Sequence, residues 1–190
     1  MNPVTHLLLG WAVANIDRRL SRKERAVVTL AGVVPDLDGL GLVAEIITHG
    51  TENELLWWSS YHHAVLHNLG FGLVVTFICW WYGGHRVSLA LWGLASFHVH
   101  LIGDLIGARA ADGDQWPITY LMPFSDSWSW VWKGQWELNA WPNFLITGVL
   151  LVMMFYWAWK RDYSPLEMVS VRADRAFVKA VRSRLSRAGQ

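Results

Sequence analysis

Histidine and aspartate recur through this chain at spacings that suit metal ligation. The sharpest case is His100-Leu101-Ile102-Gly103-Asp104, inside the apolar run from Val87 to Ile106. Residues four apart on a helix lie about 40° apart around it, so His100 and Asp104 reach a common point. Taken alone, such a pair is equally well a hydrogen bond tying two helices together. An ionisable residue in a segment apolar enough to cross a bilayer is costly to hold there, and by default marks a functional site. Three more stretches carry the same residue types: His6 in the first apolar segment, Asp36 and Asp38 around Pro35, and His62, His63 and His67 within six residues.

The elements that must position them read as membrane helices. The chain has 190 residues, 53% of them hydrophobic, with 14 tryptophans and a mean hydropathy of +0.23. That composition points to an all-α polytopic membrane protein with about five transmembrane or partly inserted helices. Residues 3–16 form a marginal first span, about 20 Å of helix against a hydrocarbon core of about 30 Å. The second, 26–47, is long enough but broken: Pro35 disfavours helix at Val34 and removes a backbone donor. Unwinding there lets Asp36 and Asp38 converge, and irregular backbone at that depth must be buried or line a cavity. A loop between two shorter helices is the alternative. The third span is expected from about Tyr61 to Trp81, with His63 and His67 on one helical face. The fourth holds His98, which points away from His100, and the last runs from Trp141 to Trp159. Cys79 is read as a packing residue, and no signal peptide is evident.

Residues 107–140 form a long loop carrying Asp112, Asp114 and Asp126. Its alternating Trp128, Trp130 and Trp132 would share one side of an extended segment at the headgroup level, and the loop is expected to act as a lid. Ser164-Pro165-Leu166-Glu167 reads as a capping box. It opens a basic amphipathic helix over 163–190, set apart from the membrane domain 1–162 and expected on the anionic inner leaflet. Phe177 is the one aromatic residue among its charges, too little for base stacking, so no nucleic-acid partner is expected. With the N-terminus outside, all but Arg109 and Lys133 of the 16 Lys and Arg fall on the cytoplasmic side.

This orientation puts His6, Asp36, Asp38, His62, His67, His100 and Asp104 at one depth near the outer face. Neutral imidazoles with carboxylates suit zinc, manganese or iron(II), and seven candidates are enough for one or two ions. His63, His98, Arg109 and Asp112 are candidates to support the ligands or meet substrate, Arg109 as a phosphate contact or a lipid-headgroup anchor.

The ordered set Thr5-His6 with Gly10, Pro35-Asp36-Leu37-Asp38, His62 followed five residues later by His67, His100-Leu-Ile-Gly-Asp104, and Pro123-Phe124-Ser125 resembles the motifs of the YdjM-like (DUF457) family of inner-membrane metal-dependent hydrolases. The resemblance covers roughly residues 1–160. In that pattern an arginine follows the first histidine of the third motif and a serine the second; His63 and Asn68 stand here, which leaves His62 and His63 as rival ligands. More distantly, His-x-x-x-Asp in a helical cluster is similar to zinc-dependent phospholipase C, which implies phosphoester hydrolysis. The expectation is a bacterial inner-membrane hydrolase acting on a lipid or lipid-linked substrate at the extracytoplasmic face. A metal-activated water would be its nucleophile, and Asp36 or Asp38 the proton acceptor. A divalent-metal transporter and a scaffold with a structural metal are the rivals.

Overall fold

The structure is a computed structural model describing all residues except His63, Ala111, Asp112, Asp114, Gly189 and Gln190. It is mostly helical. Helix α1 (Pro3–Ala14) starts with proline at its first position and with the Asn2 side chain accepting from Thr5 N–H. The chain turns at Asp17, clasped by Arg19. Ser21 and Glu24 then form a complete capping box for α2 (Arg22–Ala31). The break expected at Pro35 is present: α2 gives way to a 3₁₀ segment, Val34–Leu40, and then to α3 (Gly41–Thr48), with a bend of 51°.

Helix α4 (Trp57–Tyr61) is short, and α5 spans Leu69–Tyr82. Here the sequence reading needs correction, because residues 62 and 64–68 are not helical. Side-chain bonds outcompete the helix there. The Asp38 carboxylate receives His62 Nδ1–H, His67 Nδ1–H and Leu66 N–H, while Asn68 donates to the carbonyls of Ala64 and Val65 and accepts from Phe71 N–H to start α5.

Helix α6 (Val87–Gly107) is the central element, and its buried face includes Leu89, Phe97, His100, Leu101 and Asp104. The next helix, α7 (Trp141–Arg161), has three buried residues and an apolar outer surface of Phe144, Leu145, Val149 and Val152. These two 21-residue helices are long and apolar enough to cross a membrane, and the bent α2–α3 pair makes up to three. α1 and α5 are shorter, about 18 and 21 Å long.

One cluster, Ala31, Val75, Cys79, Phe97 and Leu101, ties α2 and α5 to α6, and buries Ile118 from the long loop. Another, Val13, Ala14, Leu20, Val28 and Leu89, joins α1 and α2 to α6 at the opposite end. Gly10 and Gly32 allow a close approach: a Cβ on Gly10 would stand 2.7 Å from the Thr29 carbonyl oxygen.

The loop contains a small antiparallel hairpin, β1 (Ile118–Thr119) with β2 (Ser129–Trp130). Its tryptophans do not form one outward row. Trp130 stacks on Tyr120 at 4.2 Å and is half-buried, whereas Trp128 and Trp132 are exposed. The capping box expected at Ser164 forms only in part: Ser164 Oγ accepts from Leu166 N–H at 3.3 Å and donates to Asp174, but Glu167 forks onto Arg25 at 2.7 and 2.8 Å instead of reaching back. Residues Pro165–Met168 form a 3₁₀ turn, and α8 (Val171–Ala188) follows. The middle of its apolar stripe folds onto α7, with Phe177, Val178 and Val181 around Ala158.

Candidate metal centre

Four segments bring polar side chains together at one end of α6. His100 and Asp104, one turn apart, bring Nε2 and Oδ2 to 3.0 Å. From α1, His6 places Nε2 3.0 Å from Asp104 Oδ1 and stacks on the His100 ring at 3.8 Å. The unwound segment after α2 brings Asp36 Oδ1 to 3.7 Å from His100 Nε2. Ahead of α5, His67 sets Nε2 3.1 Å from His100 Nε2 and 3.4 Å from Asp104 Oδ2. The Met1 amino group also contacts Asp104. Ligand atoms of His6, Asp36, His100 and Asp104 all lie within 4.8 Å of one another. Donors around a tetrahedral zinc, at about 2.0–2.1 Å from the ion, are about 3.3 Å apart, close to these spacings.

The tautomers make the fit stronger. His100 Nδ1 lies 2.9 Å from the Gly32 carbonyl oxygen, an acceptor only, so Nδ1 carries the proton. His67 Nδ1 donates in the same way to Asp38 Oδ2 at 3.0 Å. In the neutral rings both Nε2 lone pairs then face each other beside a carboxylate oxygen. That juxtaposition is repulsive unless a cation lies among them, either a proton or a metal ion. Imidazoles whose second N–H is held by a carboxylate or a backbone carbonyl are the usual form of metal-bound histidine. His6 Nδ1 and Asp36 Oδ2, both buried atoms, have no hydrogen-bond partner among the described residues and leave donor capacity spare.

Of the seven expected ligands, five therefore converge. Asp38 stands one layer behind, both oxygens occupied by His67 and His62, the latter at 2.7 Å. His62 lies under Trp58, stacked at 3.8 Å, with Trp116 edge-on at 5.4 Å. The rival reading with His63 falls outside the described residues, as does Asp112. His98 points away, as expected. Its Nδ1–H donates to the Leu94 carbonyl, so its Nε2 accepts from Tyr120 O–H at 2.7 Å. Arg109 lies 3.5 Å from Glu137.

Sequence reasoning missed Gln135, buried in the loop, which donates to the Asp104 carbonyl at 2.9 Å and pins the loop to the site. It missed Trp58 and Trp116 as well. A lone glutamine and two indoles in aromatic-rich stretches carry no spacing signal, and only the fold brings them here. Together with Leu138, the two indoles wall a cavity of about 370 Å³ that opens onto Asp36.

The family model described as YdjM inner membrane protein matches residues 1–173, nearly the whole chain. The chain belongs to the YdjM inner membrane protein family. No curated protein and no solved structure matches it, so the likeness to zinc-dependent phospholipase C rests on the His-x-x-x-Asp pattern alone. Membership in the YdjM family makes this an inner membrane protein, and α6, α7 and the bent α2–α3 pair are long and apolar enough to cross a membrane.

Proposed function

We propose that this YdjM family protein is a multi-pass, metal-dependent hydrolase that cleaves a phosphoester or related bond in a lipid or lipid-linked substrate at the extracytoplasmic face. The observation that carries the reading is the pair of Nε2 atoms of His67 and His100, 3.1 Å apart beside Asp104. In this reading α1, the bent α2–α3, α5, α6 and α7 all cross or dip into the bilayer. The basic end faces the cytoplasm, and the exposed part of α8 rests on the anionic leaflet.

His6, His67, His100 and Asp104, with Asp36 beside them, would hold one or two ions of zinc, manganese or iron(II). Bound there, such an ion supplies Lewis acidity and a water activated near neutral pH. Asp38 fixes the rings of His67 and His62 by accepting their Nδ1 protons. The proton-accepting role, open to both aspartates on sequence, we assign to Asp36, because its Oδ2 has no hydrogen-bond partner among the described residues while both Asp38 oxygens are taken. Trp58 and Trp116 shield the approach to Asp36. Arg109 shares its charge with Glu137 and is a weaker phosphate clamp than the sequence leads one to expect.

A transporter reading draws support from the bent α2–α3 pair. Against it, a Cβ on Gly32 would meet Ser96 Oγ at 2.5 Å and one on Gly10 would meet the Thr29 carbonyl, so the helices below the cluster close tightly.

The test uses zinc- or manganese-loaded protein in mixed micelles of phosphatidylglycerol, with bis(p-nitrophenyl) phosphate as a soluble comparison. His100→Ala and Asp104→Ala should lose metal and turnover together, and Asp36→Asn should lose turnover while keeping most of the metal. Turnover that survives in both alanine variants overturns the mechanism.

A further inference from the structure

No residue of α3 or α4 is buried, and Leu40, Val43, Ile47, Trp57, Tyr61 and Val65 are all widely exposed. The two arms are nevertheless held in register, because Glu45 accepts from the Ser59 hydroxyl at 2.7 Å and from its N–H at 3.0 Å. Between them runs an open cleft of about 680 Å³ whose only charged lining residue, among the described residues, is Asp38. Across the Asp38–His62 hydrogen bond lies a second cavity, of about 440 Å³, lined by Trp58, Ser59, His62, Trp116 and Thr119.

These two spaces have opposite solvent preferences. The first continues onto the exposed apolar surface of α3, the second half of a bent pair with the composition of a membrane span. In an inner membrane protein that surface meets hydrocarbon. The second presents a hydroxyl pair, an imidazole and two indoles, the amphipathic lining typical of a membrane–water interface. One hydrogen-bonded pair, Asp38 with His62, divides them, and Asp38 also orients His67 in the metal centre. A molecule occupying both spaces must be amphiphilic, with its head-to-tail junction beside the cluster.

We propose that the α3–α4 cleft takes one hydrocarbon chain of a lipid entering sideways from the bilayer, and that the cavity beyond His62 takes its headgroup. Only the statement that this lipid is the substrate rests on the hydrolase reading. The binding itself does not.

The experiment places the full chain in phosphatidylcholine nanodiscs doped with a phosphatidylglycerol that carries a diazirine at the end of one acyl chain. After photolysis, label is mapped by peptide. The outer face of α7, Phe144 to Val152, reports ordinary contact with bulk lipid. Label on residues 37–47 and 57–66 should exceed that reference by about tenfold. Ala44→Trp, which fills the cleft, should bring it down to the reference. Ile46→Trp, an exposed position outside the cleft, should leave it unchanged, with an unaltered thermal melting midpoint and monodisperse elution confirming that both variants fold. Wild-type label no higher than on α7, or enrichment indifferent to Ala44→Trp, overturns the proposal. Enrichment without lipid hydrolysis upholds the proposal and counts against the hydrolase reading alone. Hydrolysis without enrichment does the reverse.

Discussion

Asp38→Asn separates a ligand from a residue that orients ligands. Asp38 accepts from His62 Nδ1–H at 2.7 Å with one oxygen and from His67 Nδ1–H at 3.0 Å with the other. An amide in its place keeps one acceptor oxygen and turns two donors toward the second ring, so only one imidazole retains its anchor and the local negative charge is lost. Removing such a partner from a metal-bound histidine typically weakens metal binding by about 10–100-fold, or roughly 1.4–2.8 kcal/mol. Asp104→Asn should do more, because Asp104 touches His6, His67 and His100 directly. Zinc affinity of the detergent-purified variants, read by competition with a chromogenic chelator, decides the matter. Unchanged affinity in Asp38→Asn would refute the orienting role, and complete loss equal to that of Asp104→Asn would make Asp38 a ligand itself.

Other perturbations test the scaffold. Arg25→Met would strand Glu167, whose side chain is 5% exposed, at a cost of about 3–5 kcal/mol, and should open the chain after Tyr163 to limited proteolysis while metal content holds. Tyr120→Phe removes the hydroxyl that donates to His98 and should lower stability to denaturant by about 1 kcal/mol with the metal retained. Gly10→Ala places a methyl against the Thr29 carbonyl oxygen, and should cost about 1–3 kcal/mol and weaken metal binding through His6 on the same helix. For topology, Ser127→Cys should react with an impermeant thiol reagent in intact cells and Ser183→Cys only after lysis; Cys79 is buried and gives little background.

The parts of the site that were legible in sequence are those fixed by local periodicity or by proline. His100 and Asp104 share a helical face because they are four residues apart, and the chain breaks where Pro35 stands. That His6 and His67 come near them was expected from counting along the segments, although the count assumed a helix through His67 that is not there. What escaped were outcomes of competition between distant groups. The stretch around His67 would be helical by composition, but the Asp38 carboxylate draws two rings and an amide to itself. Ser164 and Glu167 have the spacing of a capping box, yet Arg25, 142 residues from Glu167, claims the carboxylate. The difference between Asp36 and Asp38, two residues apart, lies in which of them His62 and His67 reach, and no spacing encodes it. Gln135 enters the site only because its loop folds back over α6.

The most direct measurement is elemental analysis of the detergent-purified wild type beside His100→Ala. At least one equivalent of zinc, manganese or iron per chain is expected in the wild type, and its loss in the variant. Absence of metal from both after reconstitution would mean that a proton, not a metal ion, lies between His67 and His100, and the hydrolase proposal would fall with it.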